Sequence, residues 1–103
     1  MFNFIKKLFG SGTDFKALQQ QGAVIIDVRT AGEFNSGHIK GSINIPLDSI
    51  RLKINDIKKK GKPVITCCAS GMRSGSATSI LKQAGVEAYN GGSWMSLQNK
   101  MAS

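Results

Sequence analysis

At positions 64–74 the chain reads Val64-Ile65-Thr66-Cys67-Cys68-Ala69-Ser70-Gly71-Met72-Arg73-Ser74, and this stretch decides the fold. A run of β-branched residues ends in cysteine, a loop of small residues follows, and apolar residues then recur at helical spacing at positions 77, 80, 81 and 84. The pattern predicts a buried strand over Val64–Cys67, a tight loop, and a helix ending near Ala84. Since loop amides and the start of a helix favour negative charge, a cysteine there should ionise below the free-thiol pKa of about 8.5. We therefore expect a cysteine nucleophile.

Strands and helices alternate on either side of this stretch. Further strands are predicted over 23–28, 42–45 and 86–89, and the predicted helices start at a Thr13 cap, at the Thr30–Glu33 capping box, at Leu47 and near Trp94. The sequence Asn90-Gly91-Gly92 is interpreted as a turn. Alternation of this kind implies an α/β fold, an open and mostly parallel sheet of four to five strands with helices on both faces. Either Phe2–Ile5 supplies a fifth strand, or the sheet is one strand short.

Length and composition fit one compact domain. The chain has 103 residues, of which 41% are hydrophobic, and we assign residues 13–103 to the domain and residues 1–12 to an N-terminal extension or extra element. The only two cysteines are adjacent, which excludes a framework of stabilising disulfides and favours a reducing, cytoplasmic setting. No apolar run approaches the length of a transmembrane helix.

Basic residues exceed acidic ones, 14 to 6, giving a net charge of +8. Lys58–Lys60 and Lys62 form the densest group. Nucleic-acid binding is not predicted, because aromatic residues are not interleaved with the basic ones and no known binding motif is present. We expect the lysines to solvate a helix end and to attract anionic substrates or acidic partners; the oligomeric state is left open.

Two ordered motifs resemble the rhodanese family. Residues 27–46 fit its D-V-R-x-x-x-E-F-x-x-G-H-I-x-G-A/S-x-N-I/V-P signature, and Cys68–Ser74 fits its C-x-S/x-G-x-R-S active loop. The resemblance extends from about Thr13 to Met101. It implies a rhodanese-like sulfurtransferase in which the Cys68 thiolate takes sulfur from thiosulfate or another persulfide. Cys68 would hold that sulfur as a persulfide and pass it to cyanide, a thiol or a partner protein, with no metal or organic cofactor.

The resemblance also assigns roles around Cys68. The substrate-binding loop would consist of Ala69, Ser70, Gly71, Met72 and Arg73. Arg73 either contacts an anionic donor or ties the loop to a carboxylate, and we slightly favour the tie. Asp27, Arg29 and Glu33 are expected to form a network that supports the loop, and the single histidine, His38, is expected to be structural.

Two other readings stay open. Counted from Cys67, the motif becomes C-x5-R-S, the spacing of cysteine phosphatases and arsenate reductases. Against this, Thr66 stands where most such phosphatases carry histidine, and Ser70 occupies their usual glycine position; Cys67 would otherwise be a small buried hydrophobic residue. The second alternative is a non-catalytic rhodanese-like module that binds or delivers sulfur to a partner.

Overall fold

A four-stranded parallel sheet forms the centre of the computed structural model, which describes residues 12–102. The strands are β1 Val24–Asp27, β2 Ile43–Asn44, β3 Val64–Cys68 and β4 Ala88–Ser93, in the order β2-β1-β3-β4. Every neighbouring pair is parallel, so the carboxyl ends of all four strands lie at one edge of the sheet. The expected parallel α/β sheet is confirmed, while the fifth strand suggested for Phe2–Ile5 falls outside the described residues.

Helices cover both faces of this sheet. They are α1 Phe15–Gln20, α2 Ala31–Asn35, α3 Ile50–Lys59, α4 Met72–Gln83 and α5 Trp94–Ala102, with a 3-10 turn at Leu47–Ser49. On one face, a buried cluster joins the sheet to α3 and α4 and includes Ile26, Val28, Ile50, Ile57, Val64, Cys68, Ala77 and Leu81. On the other face, a second cluster joins the sheet to α1 and α5 and contains Phe15, Ile25, Ile39, Ile65, Cys67, Leu97 and Met101. No helix in residues 12–102 combines the length and the apolar character needed to cross a membrane.

β3 is the central element that divides these two clusters. All five of its residues are buried, as expected of a parallel strand that is covered on both faces. Because successive side chains of a strand point to opposite faces, Cys67 belongs to the α1/α5 cluster and Cys68 to the α3/α4 cluster. The two adjacent thiols therefore lie on opposite sides of the sheet.

The last strand corrects the sequence-based prediction. It occupies Ala88–Ser93 rather than 86–89, so Asn90-Gly91-Gly92 belongs to the strand and is not a turn. The pairing shifts between Thr66 and Cys68, which brings Ser93 opposite Cys68. Gly91 permits the close approach, because a Cβ atom there would lie 2.7 Å from the carbonyl oxygen of Thr66. Glycines in this segment suggested a turn, whereas they allow an irregular strand.

The first helix also starts differently from the prediction. Asp14, rather than Thr13, is its N-cap, and the Asp14 side chain accepts a hydrogen bond of 2.9 Å from the Ala17 backbone amide. A carboxylate three residues before that amide meets the same requirement that the Thr13 hydroxyl was expected to meet.

Candidate active site

Cys68 is the last residue of β3, at the carboxyl edge of the sheet. The chain then turns through Ala69 and Ser70, which are exposed, and enters α4 at Met72. Gly71 makes the turn with a φ of 101°, a left-handed conformation that glycine adopts without a steric penalty. The short loop thus directs backbone amides and the first turn of α4 toward the Cys68 sulfur.

Two backbone amides and one hydroxyl group, from the loop and from α4, surround that sulfur. The Gly71 amide donates to Sγ at 3.0 Å and the Ser74 amide at 3.4 Å, and the Ser74 hydroxyl oxygen, whose proton goes to Asn90, lies 3.3 Å away. Burial of Cys68, which has no exposed surface, would by itself raise the thiol pKa. Hydrogen bonding with the Ser74 side chain, and bonds from the amides of Ser74, Gly71 and Ser70, outweigh burial and hold the Cys68 pKa below its usual value. The site therefore stabilises a buried thiolate.

Asn90 of β4 braces this arrangement from the neighbouring strand. Its Oδ1 accepts hydrogen bonds from the Ser74 hydroxyl at 2.7 Å and from the Gly92 amide at 2.9 Å, and its Nδ2 donates to the Gly71 carbonyl at 3.1 Å. Asn90 thereby holds both residues that donate to Cys68. Ser74 belongs to the active-loop motif, but the motif alone gives it no role, and Asn90 could not be predicted as a site residue while its segment was interpreted as a turn.

Cys67 has the opposite environment. It is fully buried, and burial, followed by the nearby negative charge of Asp27, raises its pKa to about 12, although Arg29 partly offsets the effect. A thiol with this pKa is protonated at neutral pH and is a poor nucleophile.

Arg73 and Glu33 form a two-point ion pair that ties the loop to α2. The two terminal nitrogens of Arg73 donate to Glu33 Oε1 at 2.8 Å and Oε2 at 2.9 Å. The Arg73 guanidinium, together with the Thr30 backbone amide, lowers the pKa of Glu33 to about 2. Glu33 also completes the predicted capping box with Thr30. Of the two roles considered for Arg73, the structure thus contains the tie to a carboxylate.

Asp27 and Arg29 form a second, buried ion pair behind the first. Arg29 donates to both carboxylate oxygens of Asp27, at 2.7 Å in the shortest contact, and to the Gly37 carbonyl at 2.7 Å. Its guanidinium carbon lies 5.0 Å from the centre of the Trp94 ring. A longer bond of 3.3 Å to the Glu33 carbonyl connects this pair to the Arg73 tie. Glu33 thus touches the cysteine loop directly, whereas Asp27 and Arg29 act behind it.

His38 has structural contacts on α2 and the turn that follows. Its ring stacks on Phe34 with 3.6 Å between the ring centres, and its Nδ1–H donates to the Phe34 carbonyl at 2.7 Å. In residues 12–102, no three His, Cys, Asp or Glu side chains come close enough together to hold a metal ion.

Comparisons with known proteins agree with this geometry. The chain is 44% identical to YqhL of Bacillus subtilis over 69 residues, which are 66% of this chain and 54% of YqhL. It is 37% identical to the tRNA sulfurtransferase of Thermoplasma acidophilum over 68 residues, 65% of this chain and 13% of that protein. The chain thus spans about half, or much less, of these relatives. A solved structure described as a rhodanese with anions from E. coli superposes with a TM-score of 0.67 at 31% identity and covers 73% of this chain and 91% of that one.

The sequence profile of the rhodanese-like domain matches residues 11–98, which include every strand, the cysteine loop and both ion pairs. The chain therefore belongs to the family of rhodanese-like domains.

Proposed function

We propose that this protein is a sulfurtransferase in which Cys68 carries the transferred sulfur. The observation that carries the proposal is the set of donors around the Cys68 sulfur, which stabilises a thiolate in a buried position. The similarity to part of a tRNA sulfurtransferase supports sulfur transfer as the class of reaction. The reaction suits a reducing compartment such as the cytoplasm, because Cys68 must return to the thiolate in every cycle.

The first half-reaction loads the sulfur. The Cys68 thiolate attacks the sulfane sulfur of the donor, a new S–S bond forms, and the donor's own S–S bond breaks with its electron pair leaving on the donor. Thiosulfate would leave as sulfite, and a persulfide R–S–SH would leave as the thiolate R–S⁻. The amides of Gly71 and Ser74 and those of the loop would hold the negative charge of the Cys68 persulfide.

The second half-reaction delivers the sulfur. A thiophilic acceptor, such as cyanide, a thiol or a cysteine of a partner protein, attacks the outer sulfur, and the electron pair of the broken bond returns to Cys68 as the thiolate. The donors around Cys68 make it a good leaving group for the same reason that they make it a good nucleophile. Sulfur serves as both nucleophile and leaving group, so the cycle closes with no net redox change.

The environment of Cys67 argues against the phosphatase or arsenate reductase alternative. That reading places the nucleophile at Cys67, whose thiol faces the α1/α5 side of the sheet and has a pKa of about 12. The loop amides contact Cys68 instead. A module that only binds a partner would not need a stabilised thiolate. A non-catalytic module that carries sulfur would need the same hydrogen bonds to Cys68.

Single cysteine substitutions test the proposal. We expect the reduced protein, incubated with thiosulfate or an organic persulfide, to gain about 32 Da by intact mass, and a thiol reductant to remove the gain. Cys68→Ser should abolish the gain, and Cys67→Ser should keep most of it. The proposal fails if neither donor adds mass, or if the gain depends on Cys67. Aryl phosphatase activity that is lost in Cys67→Ser would instead support the alternative enzyme.

A further inference from the structure

The charges of the cysteine loop cancel. Residues 69–72 are uncharged, and the one basic side chain of the loop, Arg73, is paired through both terminal nitrogens with Glu33. Glu33 is held in place by Thr30, whose amide donates to Oε1 at 3.1 Å. The ion pair therefore presents no net charge to a substrate. A small dianion that recruited Arg73 would leave the Glu33 carboxylate unpaired beside it, which is unfavourable.

The densest group of basic residues lies at the opposite edge of the sheet. Lys58–Lys60 end α3, and Lys62 lies two residues before the amino end of β3. The Lys58 ammonium comes within 3.9 Å of where a Cβ of Gly85 would stand, just before β4 begins. Cys68, by contrast, ends β3. Charges separated by the length of the sheet are largely screened at physiological ionic strength, so this group of lysines does little for anion binding at Cys68.

An exposed apolar side chain borders the loop instead. Met72 at the start of α4 is 80% exposed. The preceding Gly71 packs against β4, because a Cβ on Gly71 would lie only 3.4 Å from the Cα of Gly92. Exposed methionines are flexible and polarisable, and they suit contact with varied organic groups.

We propose that the sulfur donor of this site is a persulfide carried on an organic thiol, R–S–SH, in preference to the thiosulfate dianion. The inference rests on the sulfurtransferase function proposed above and narrows it. In the loading step the Cys68 thiolate bonds to the outer sulfur of R–S–SH, the S–S bond of the donor breaks, and its electron pair leaves as R–S⁻. The organic group R lies against Met72, so binding does not require a cation of the loop.

The test compares donors on the full chain. Reduced protein is mixed with equal concentrations of thiosulfate, glutathione persulfide or persulfidated serum albumin, and the rate of mass gain on Cys68 is measured, with Cys68→Ser as the blank. We expect at least one organic persulfide to load the protein ten times faster than thiosulfate or more, and the two organic donors distinguish a small carrier from a protein. Equal or faster loading by thiosulfate overturns the donor assignment and leaves the sulfurtransferase proposal intact. Loading by none of the three overturns both.

A charge added at the loop gives a second, independent test. Met72→Lys places a cation at the loop mouth, and Gln83→Lys places the same cation at the exposed far end of the same helix, about 16 Å away. We expect Met72→Lys to raise the loading rate with thiosulfate about threefold or more at low salt, with the gain lost at high salt. Loading by cysteamine persulfide, whose ammonium offsets its persulfide charge, should not rise, and Gln83→Lys should change neither rate. If Met72→Lys leaves the thiosulfate rate unchanged, the charge argument is wrong.

Discussion

Cys68 and Cys67 show how strongly the surroundings of a residue decide its chemistry. Hydrogen bonds to the Cys68 sulfur lower its pKa, whereas burial and the charge of Asp27 raise the pKa of Cys67 to about 12. Iodoacetamide should therefore modify the folded protein once, at Cys68, and the rate should rise with pH to a plateau whose midpoint lies below that of glutathione measured in parallel. A midpoint at or above that of glutathione, or modification that persists in Cys68→Ser, would contradict this reading.

Asn90 offers a second test at the level of single residues. Because it orients both Gly71 and Ser74, Asn90→Asp should weaken their bonds to the thiolate and add a negative charge near it, and both effects raise the pKa of Cys68. The alkylation midpoint should move to higher pH, and the rate at pH 7 should fall severalfold. Asn55→Asp, at an exposed position of α3, carries the same charge change as a control. An unchanged midpoint in Asn90→Asp would limit Asn90 to a structural role.

The irregular strand β4 depends on the absence of a side chain at one position. A Cβ on Gly91 would lie 2.7 Å from the Thr66 carbonyl oxygen and 2.8 Å from the Leu97 side chain, so Gly91→Ala must displace β4 or α5. We expect a loss of about 1–3 kcal/mol in the free energy of unfolding, measured with urea. Gly32→Ala in α2 meets no atom within 4 Å and should be neutral or stabilising by about 0.5–1 kcal/mol. Equal stability of the two variants would argue against the close packing of β4 on β3.

The Arg73–Glu33 tie between α2 and α4 makes stability depend on pH. Pairing lowers the Glu33 pKa from 4.5 to about 2, so the stabilisation is complete above pH 4.5 and is lost as pH falls toward 2. Glu33→Gln keeps a side chain that can complete the capping box but removes the ion pair. Its melting temperature should lie below that of the parent protein at pH 6, and the gap should narrow at low pH. Asp56→Asn, on an exposed part of α3, controls for the loss of one carboxylate; a gap independent of pH would contradict the prediction.

The sequence predicts a local structure correctly wherever the residues of one short segment determine that structure by themselves. The β-branched run at Val64 predicted a buried strand and the Thr30–Glu33 pair predicted a capping box, and the structure contains both. The sequence does not predict a contact whose geometry depends on a segment far away along the chain. The Ser74–Asn90 bond depends on the register of β4 against β3, and the Arg73–Glu33 pair spans 40 positions, so the arginine could be assigned only to an unspecified carboxylate.

The whole molecule consists of two hydrophobic clusters separated by one sheet. Ile57 packs in the α3/α4 cluster and Leu97 in the α1/α5 cluster. We expect Ile57→Val to cost about 0.5–1.5 kcal/mol and Leu97→Ala about 2–5 kcal/mol. Their effects in the double variant should add to within about 0.5 kcal/mol, because the two side chains share no cluster. Urea unfolding of the four proteins gives the comparison, and a larger deviation would show that the sheet transmits strain between its faces.

The separation of the two thiols by the sheet affects how long a sulfur atom carried on Cys68 would remain there. A persulfide is easily discharged by a second thiol nearby, which forms a disulfide and expels hydrogen sulfide. Cys67 is one residue away along the chain but faces the other cluster, and these 103 residues contain no further cysteine. A sulfur atom loaded on Cys68 by the proposed reaction would therefore have no internal route of escape. Its lifetime on the protein would be set by encounters with molecules from outside, and the domain would then store sulfur as well as transfer it.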